Sequence, residues 1–143
     1  MKTLALRAPI SVVVVWVLCL LTNPLWAADP IEGRWVKSSG DVIIELKVVD
    51  GMLIGHLLAW KNKQWTVDSK NPDKSLRKRP LKGLRVLSCS YKKDNEWRGG
   101  KIYDASEGES YRARVRLSGK NELIVRGFIG VSLLGKSTKW KRG

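Results

Sequence analysis

The chain has 143 residues and carries 27 Lys and Arg against 13 Asp and Glu, a formal charge of +14 at pH 7. This length is sufficient for one domain with one hydrophobic core and too short for two. The charge favours phosphate-rich or carboxylate-rich partners through a field that weakens with salt, although it also serves solubility alone.

Residues 1–27 have the pattern of a secretory signal peptide. Lys2 and Arg7 form a basic start, residues 10–21 are uncharged and apolar, and small residues follow near Ala27. The apolar run is shorter than the roughly 20 residues that a membrane-spanning helix needs, and no later segment matches it. We therefore expect cleavage after Ala27 and a periplasmic or secreted product without a transmembrane segment.

The expected mature chain, residues 28–143, is a single domain with one cysteine. Removal of the signal leaves 25 Lys and Arg against 13 Asp and Glu, or +12 with His56 neutral. Cys89 then has no partner for an internal disulfide. Because Leu87 and Tyr91 alternate with it, we expect Cys89 on a buried strand face.

Short runs rich in Val, Ile, Leu, Trp and Tyr recur about every ten residues, and Gly, Asp, Asn and Ser separate them. The pair Asp50-Gly51 is typical of a two-residue hairpin turn. This pattern predicts an all-β antiparallel domain of eight or nine strands. In chain order the predicted strands are 34–37, 42–49, 52–60, 84–91, 97–103, 111–117, 122–128, 130–134 and 137–142.

Residues 61–82 differ from the rest because they are polar, basic and without alternation. They contain Pro72 and Pro80 and predict a long basic loop. A structureless loop of this length in a small domain is usually either functional or mobile.

Strict alternation identifies the faces of two strands. Period two has no helical interpretation, so one set of side chains faces the core and the other faces solvent or anions. The predicted inward residues are Ile44, Leu46, Val48, Tyr111, Ala113, Val115 and Leu117, and the outward residues include Arg112, Arg114 and Arg116. Sheets of this size close into a barrel or fold into a sandwich.

Three segments favour the barrel. Gly33-Arg34-Trp35 resembles the opening of lipocalin-like barrels, in which the indole covers the barrel floor and a late basic residue, here Arg142, covers the indole. The segments GGKIYD from Gly99 and RGFIGVSLLG from Arg126 resemble the signatures of domain of unknown function 2147, a bacterial family of exported proteins. The resemblance covers essentially the whole mature domain and implies a lipocalin-like, calycin-type β-barrel.

The sequence contains few candidates for catalysis. His56 is the only histidine, Cys89 is the only mature thiol, and no spacing resembles a metal site. We expect no catalytic residues, no metal and no cofactor.

The leading hypothesis is noncatalytic binding of a small hydrophobic or amphipathic molecule. An eight-stranded barrel is either filled by side chains or holds one small ligand, and the sequence leaves both open. Tyr111 supplies a polar group and Ala113 leaves room on the same wall. The predicted lining residues are Ile44, Leu46, Val48, His56, Tyr111, Ala113 and Val115.

The alternative is a packed barrel whose cationic surface binds anionic lipid headgroups or envelope polysaccharide. The residues predicted for those contacts are Arg77, Lys78, Arg79, Arg112, Arg114 and Arg116. Nucleic acid is the poorer partner because export separates the protein from it. The sequence assigns no oligomeric state.

Overall fold

Nine antiparallel strands form one sheet in the computed structural model, which describes residues 27–143. The predicted signal peptide lies outside the described residues except for Ala27. The strands are β1 (Gly33–Lys37), β2 (Val42–Val49), β3 (Met52–Trp60), β4 (Arg85–Cys89), β5 (Tyr91–Lys93), β6 (Glu96–Asp104), β7 (Glu109–Ser118), β8 (Glu122–Phe128) and β9 (Gly135–Arg142). Two one-turn 3₁₀ helices span Lys74–Leu76 and Ser132–Leu134.

The sheet closes into an eight-stranded barrel. Neighbours follow the order β4-β3-β2-β1-β9-β8-β7-β6, and β4 also pairs with β6 through Leu87 and Ser88. Strand β5 is a ninth strand that forms a hairpin with β6. The predicted all-β barrel is therefore confirmed.

Turn residues with positive φ explain two of the hairpins. Asp50 and Gly51, at φ 50° and 74°, connect β2 to β3, and Asp94 and Asn95, at φ 52° and 59°, connect β5 to β6. Such turns match the natural twist of paired strands. The bounds of β2 and β3 are those predicted from the sequence.

Two predicted strands differ from the structure. Residues 130–134 form a loop, because β8 and β9 pair directly at Phe128 and Gly135 and leave the intervening residues beyond the ladder. The predicted strand 84–91 is divided, since β4 ends at Cys89 and β5 begins at Tyr91.

The barrel has two different ends. The end that carries both termini of the described chain and the turns at 50–51 and 118–121 is called the floor. The opposite end, called the mouth, carries the turn 38–41, the long loop 61–82 and the hairpin loops 105–108 and 129–134. No helix within residues 27–143 is long and apolar enough to span a membrane.

Candidate functional site

Trp35 and Arg142 close the floor. The Trp35 ring is fully buried and its Nε1 donates a hydrogen bond to the Ile31 carbonyl at 2.8 Å. The Arg142 guanidinium lies 4.3 Å from the centre of that ring. It also donates to the carbonyls of Pro30 at 2.7 Å and Glu32 at 3.0 Å. The structure thus brings the two predicted floor residues together and fastens the N-terminal segment across them.

The half of the interior next to the floor is packed. Ile44, Leu46, Ala113 and Val115 are at most 2% exposed. A Cβ atom on Gly55, which lies on the same face, would sit 2.9 Å from the Leu87 Cβ. These four predicted lining residues therefore belong to the closed core.

The remaining predicted residues have different positions. Val48 is half-buried at the floor end and packs against the core. His56 pairs with Glu45 on the outer face, because its neighbours Gly55 and Leu57 pair with inward residues of β2. His56 therefore does not line the barrel. Cys89 is fully buried and on the inner face, as the alternation predicted, so the two side chains lie on opposite faces of the sheet.

Inward positions at the mouth remain partly open to solvent. The registers place six such residues on the inner face, two on β2 and β3 and four on β6 to β9, and none of them is fully buried. We call this group the cup. Its residues are Val42, Trp60, Ile102, Tyr111, Gly127 and Thr138.

The cup can accommodate a methyl group at Gly127. A Cβ atom there would meet only the Ile102 Cγ2 and the Tyr111 Cβ, both at 3.7 Å, which is ordinary van der Waals contact. By contrast, a Cβ atom on Gly100, which pairs with Ala113 on the neighbouring strand, would collide with the Cys89 Sγ and with backbone oxygens. The inner wall is therefore less tightly packed at Gly127 than at Gly100, two strands away.

Two polar groups lie on the cup. The Trp60 Nε1 is buried and has no hydrogen-bond partner among the described residues, so the indole offers an unused donor. Tyr111 donates from its hydroxyl to a Glu107 carboxylate oxygen at 2.6 Å. That hydrogen bond, together with desolvation and nearby carboxylates, raises the pKa of Tyr111 to about 12.

Residues 61–82 are ordered around one buried carboxylate, and we call this segment the lid. Asp68 is fully buried and accepts from Arg79 Nε and Nη2 at 2.8 and 2.7 Å, and from Asn71 Nδ2 at 2.8 Å. The Tyr103 hydroxyl donates to the other carboxylate oxygen at 2.5 Å. Burial, followed by this interaction with Asp68, raises the pKa of Tyr103 to about 12.

The lid is fastened to the neighbouring β6–β7 hairpin loop. The Lys70 Nζ donates to the Ser106 carbonyl at 2.7 Å, and the Lys70 backbone lies against Gly108, where a side chain would collide with it. Gly108 has a φ of 76°, which a residue with a side chain rarely adopts. Leu81 is fully buried and anchors the second half of the lid in the core.

The predicted cationic contacts fall on two separate elements. On the lid, Arg79 is committed to Asp68 and Arg77 donates to the Asn71 carbonyl at 2.7 Å, whereas Lys78 is exposed. Arg112, Arg114 and Arg116 occupy outward positions on β7. The structure does not merge the six residues into one cluster.

Sequence reasoning identified Tyr111 on the cup but missed Trp60, Gly127 and Asp68. Trp60 had a signal, since it ends an apolar strand that the Asp50-Gly51 turn pairs with β2. Asp68 had a weaker signal, since it is one of only two acidic residues in the strongly basic segment 61–82.

A closed eight-stranded barrel with a tryptophan and an arginine across its floor defines a lipocalin-like fold. Residues 33–142 match the family described as an uncharacterized protein conserved in bacteria, DUF2147, and the chain belongs to that family. The structure is similar to that of protein HP1028 from the human pathogen Helicobacter pylori, which is described as belonging to the lipocalin family. The TM-score is 0.70 at 24% sequence identity, over 78% of this chain and 82% of that chain. No curated protein matches the sequence.

Proposed function

We propose that this protein is an exported, noncatalytic carrier that holds one small hydrophobic or amphipathic molecule in the cup. The main support for this proposal is the change in packing along the inner wall. Inward residues are sealed around Ala113 and Val115 and accessible around Tyr111 and Gly127. A small barrel of this kind has room for one small ligand beyond the filled part of its interior.

The groups around the cup favour an amphipathic ligand with an oxygen-bearing or anionic head. Val42, Ile102 and Trp60 supply apolar walls, and the Trp60 indole supplies a donor for a ligand oxygen. Lys37 and Lys136 occupy inward positions next to the mouth. Buried polar groups are normally hydrogen-bonded, so an unused indole N–H next to an open wall supports a ligand contact.

The expected affinity is moderate. If a ligand buries about 300 Å² of apolar surface, the gross gain is roughly 7 kcal/mol, and ordering costs leave a Kd nearer micromolar than picomolar.

The protein is proposed to be noncatalytic because its two candidate catalytic residues, Cys89 and His56, are in positions unsuited to a shared site. Cys89 is sealed in the core and His56 faces outward.

The proposal is tested by adding a side chain to the cup. Gly127→Val should weaken binding of the neutral fluorescent probe N-phenyl-1-naphthylamine by about tenfold, because the added methyl groups occupy the space that the probe would fill. Ser110→Val, at an outward position on β7, is the matched control and should bind like the wild type. Equal binding by wild type and Gly127→Val, with both folded, would contradict a ligand site in the cup.

Native mass spectrometry of protein purified from its own host provides a second test. A carrier should show an additional mass that organic extraction removes and that can then be identified. Spectra free of ligand across several preparations would count against the proposed function.

A further inference from the structure

The hairpin loop between β8 and β9 presents an unusual apolar surface. Ile129, Val131, Leu133 and Leu134 are 69%, 60%, 88% and 78% exposed. They are four of the nine large hydrophobic residues that are exposed in the described part of the chain. Soluble monomers expose single apolar residues widely, but contiguous apolar patches usually mark an interaction site.

The fold holds this loop in place. The β8–β9 ladder ends at the Phe128 and Gly135 pair, so residues 129–134 extend beyond the sheet at the mouth. Arg112 Nη1 donates to the Gly130 carbonyl at 3.2 Å, and the Leu134 amide donates to the Val131 carbonyl at 3.1 Å. The apolar side chains are therefore presented on a supported turn.

Cationic residues border the loop. Arg112 and Arg114 lie 5.8 and 5.6 Å from the centre of the Phe128 ring at the base of the loop. Lys101 pairs with Arg112 in the next strand and continues the outward row. The surface thus combines an apolar tip with a basic border.

We propose that residues 129–134 dock on an anionic lipid bilayer, with the apolar side chains in the interfacial region and the bordering cations at the lipid phosphates. Apolar burial and attraction between basic residues and anionic lipids are the two terms that hold peripheral proteins at a bilayer surface. This docking requires neither the residues of the cup nor a bound ligand.

A second copy of the chain fits this surface less well than a bilayer. A symmetric contact between two such loops would bring Arg112 and Arg114 of one copy towards the same residues of the other. Like charges that face each other across an interface oppose association. An anionic surface instead complements both the tip and its border.

The position of the loop gives the docking a consequence for the cup. The loop and the cup share the mouth end, so a docked protein turns its open end towards the bilayer. This consequence rests on the proposed carrier function: an amphipathic molecule held in the cup would pass between bilayer and barrel without crossing bulk water.

Co-flotation with lipid vesicles tests the inference. Wild-type protein should float with phosphatidylcholine vesicles that contain about a third phosphatidylglycerol, and float less with phosphatidylcholine alone or in about 0.5 M salt. Leu133→Ser combined with Leu134→Ser should reduce the bound fraction on anionic vesicles about tenfold. The matched control combines Val49→Ser with Met52→Ser, because this exposed apolar pair lies at the floor end.

A charge variant tests the basic border separately from the apolar tip. Arg112→Gln combined with Arg114→Gln should weaken binding to anionic vesicles and reduce its salt dependence, while thermal unfolding shows that the barrel remains folded. The inference is overturned if the double leucine variant floats like wild type, or if the wild type does not float. It is also overturned if sedimentation shows a dimer that the leucine substitutions dissociate while vesicle binding is unchanged. None of these outcomes depends on probe binding in the cup, so failure here and failure of the carrier proposal are distinguishable.

Discussion

Arg142 and Trp35 join the last strand of the barrel to the first, with the guanidinium 4.3 Å from the centre of the indole ring. The two residues are direct neighbours in the β1–β9 register. Since Arg142 also donates to the carbonyls of Pro30, Glu32 and Lys120, one side chain connects the N-terminal segment, the β7–β8 turn and the barrel closure.

Replacing Arg142 should therefore destabilise the whole barrel. Arg142→Ala removes the contact with the indole and three charged-donor hydrogen bonds, and we expect the free energy of unfolding in urea to fall by about 2 kcal/mol. Arg142→Lys should not restore it, because an ammonium does not reproduce the planar fork. Lys141→Ala, on the opposite face of the same strand, is the control. An equal fall in the free energy of unfolding of that variant would show that Arg142 has no special role.

The buried Asp68 makes the lid sensitive to its one charged partner. Arg79→Met leaves a fully buried carboxylate without its cation, so the free energy of unfolding should fall by about 2 kcal/mol; Arg79 is itself a third exposed, which limits the loss. Hydrogen exchange should also increase across residues 61–82. The neighbouring Lys78→Met is the control.

A second variant tests whether the carboxylate is the cause. Adding Asp68→Leu to Arg79→Met should recover part of the stability, because the unpaired charge is then removed. A double variant less stable than Arg79→Met alone would show that the lid depends on the polar network rather than on charge compensation.

Local patterns account for what the sequence predicted well. The ends of β2, β3 and β8 were predicted correctly because alternation and turn residues such as Asp50-Gly51 are local signals. Residues 130–134 were predicted wrongly as a strand, since an apolar run bounded by glycines has strand-like composition. Whether such a run has a partner depends on where β8 and β9 begin to pair, which no local pattern contains.

The candidate site was harder to predict than the strands, because its position depends on contacts between residues that are distant in the sequence. Alternation assigned Tyr111 and Ala113 to one wall, but the depth at which packing ends depends on Cys89 and Gly100 from two other strands. His56 was misplaced because the face of β3 follows from its register with β2. The β4–β6 pairing that closes the barrel likewise links strands that are not consecutive.

Stability should fall at high pH through Tyr103. Its folded pKa of about 12 exceeds the value near 10 of an unfolded tyrosine, so the native state holds the proton more tightly. The corresponding stability is fully present below about pH 10 and is lost as the pH rises towards 12. Tyr103→Phe should lose this part of the pH dependence, and the difference between the urea midpoints of the two proteins from pH 9 to 12 measures it. A constant difference across that range would contradict the prediction.

Cys89 should be chemically inert in the folded barrel. Burial raises the pKa of its thiol to about 12, and only the thiolate reacts with alkylating agents. At pH 8 we expect iodoacetamide to label native, processed protein about a thousandfold more slowly than protein unfolded in urea, with the mass increase as the readout. Ser118→Cys supplies an exposed thiol in the same chain and should gain one label at once. Rapid double labelling of that variant would show that the core around Cys89 opens readily. A slow second label would instead report the rate at which the packed half of the barrel unfolds.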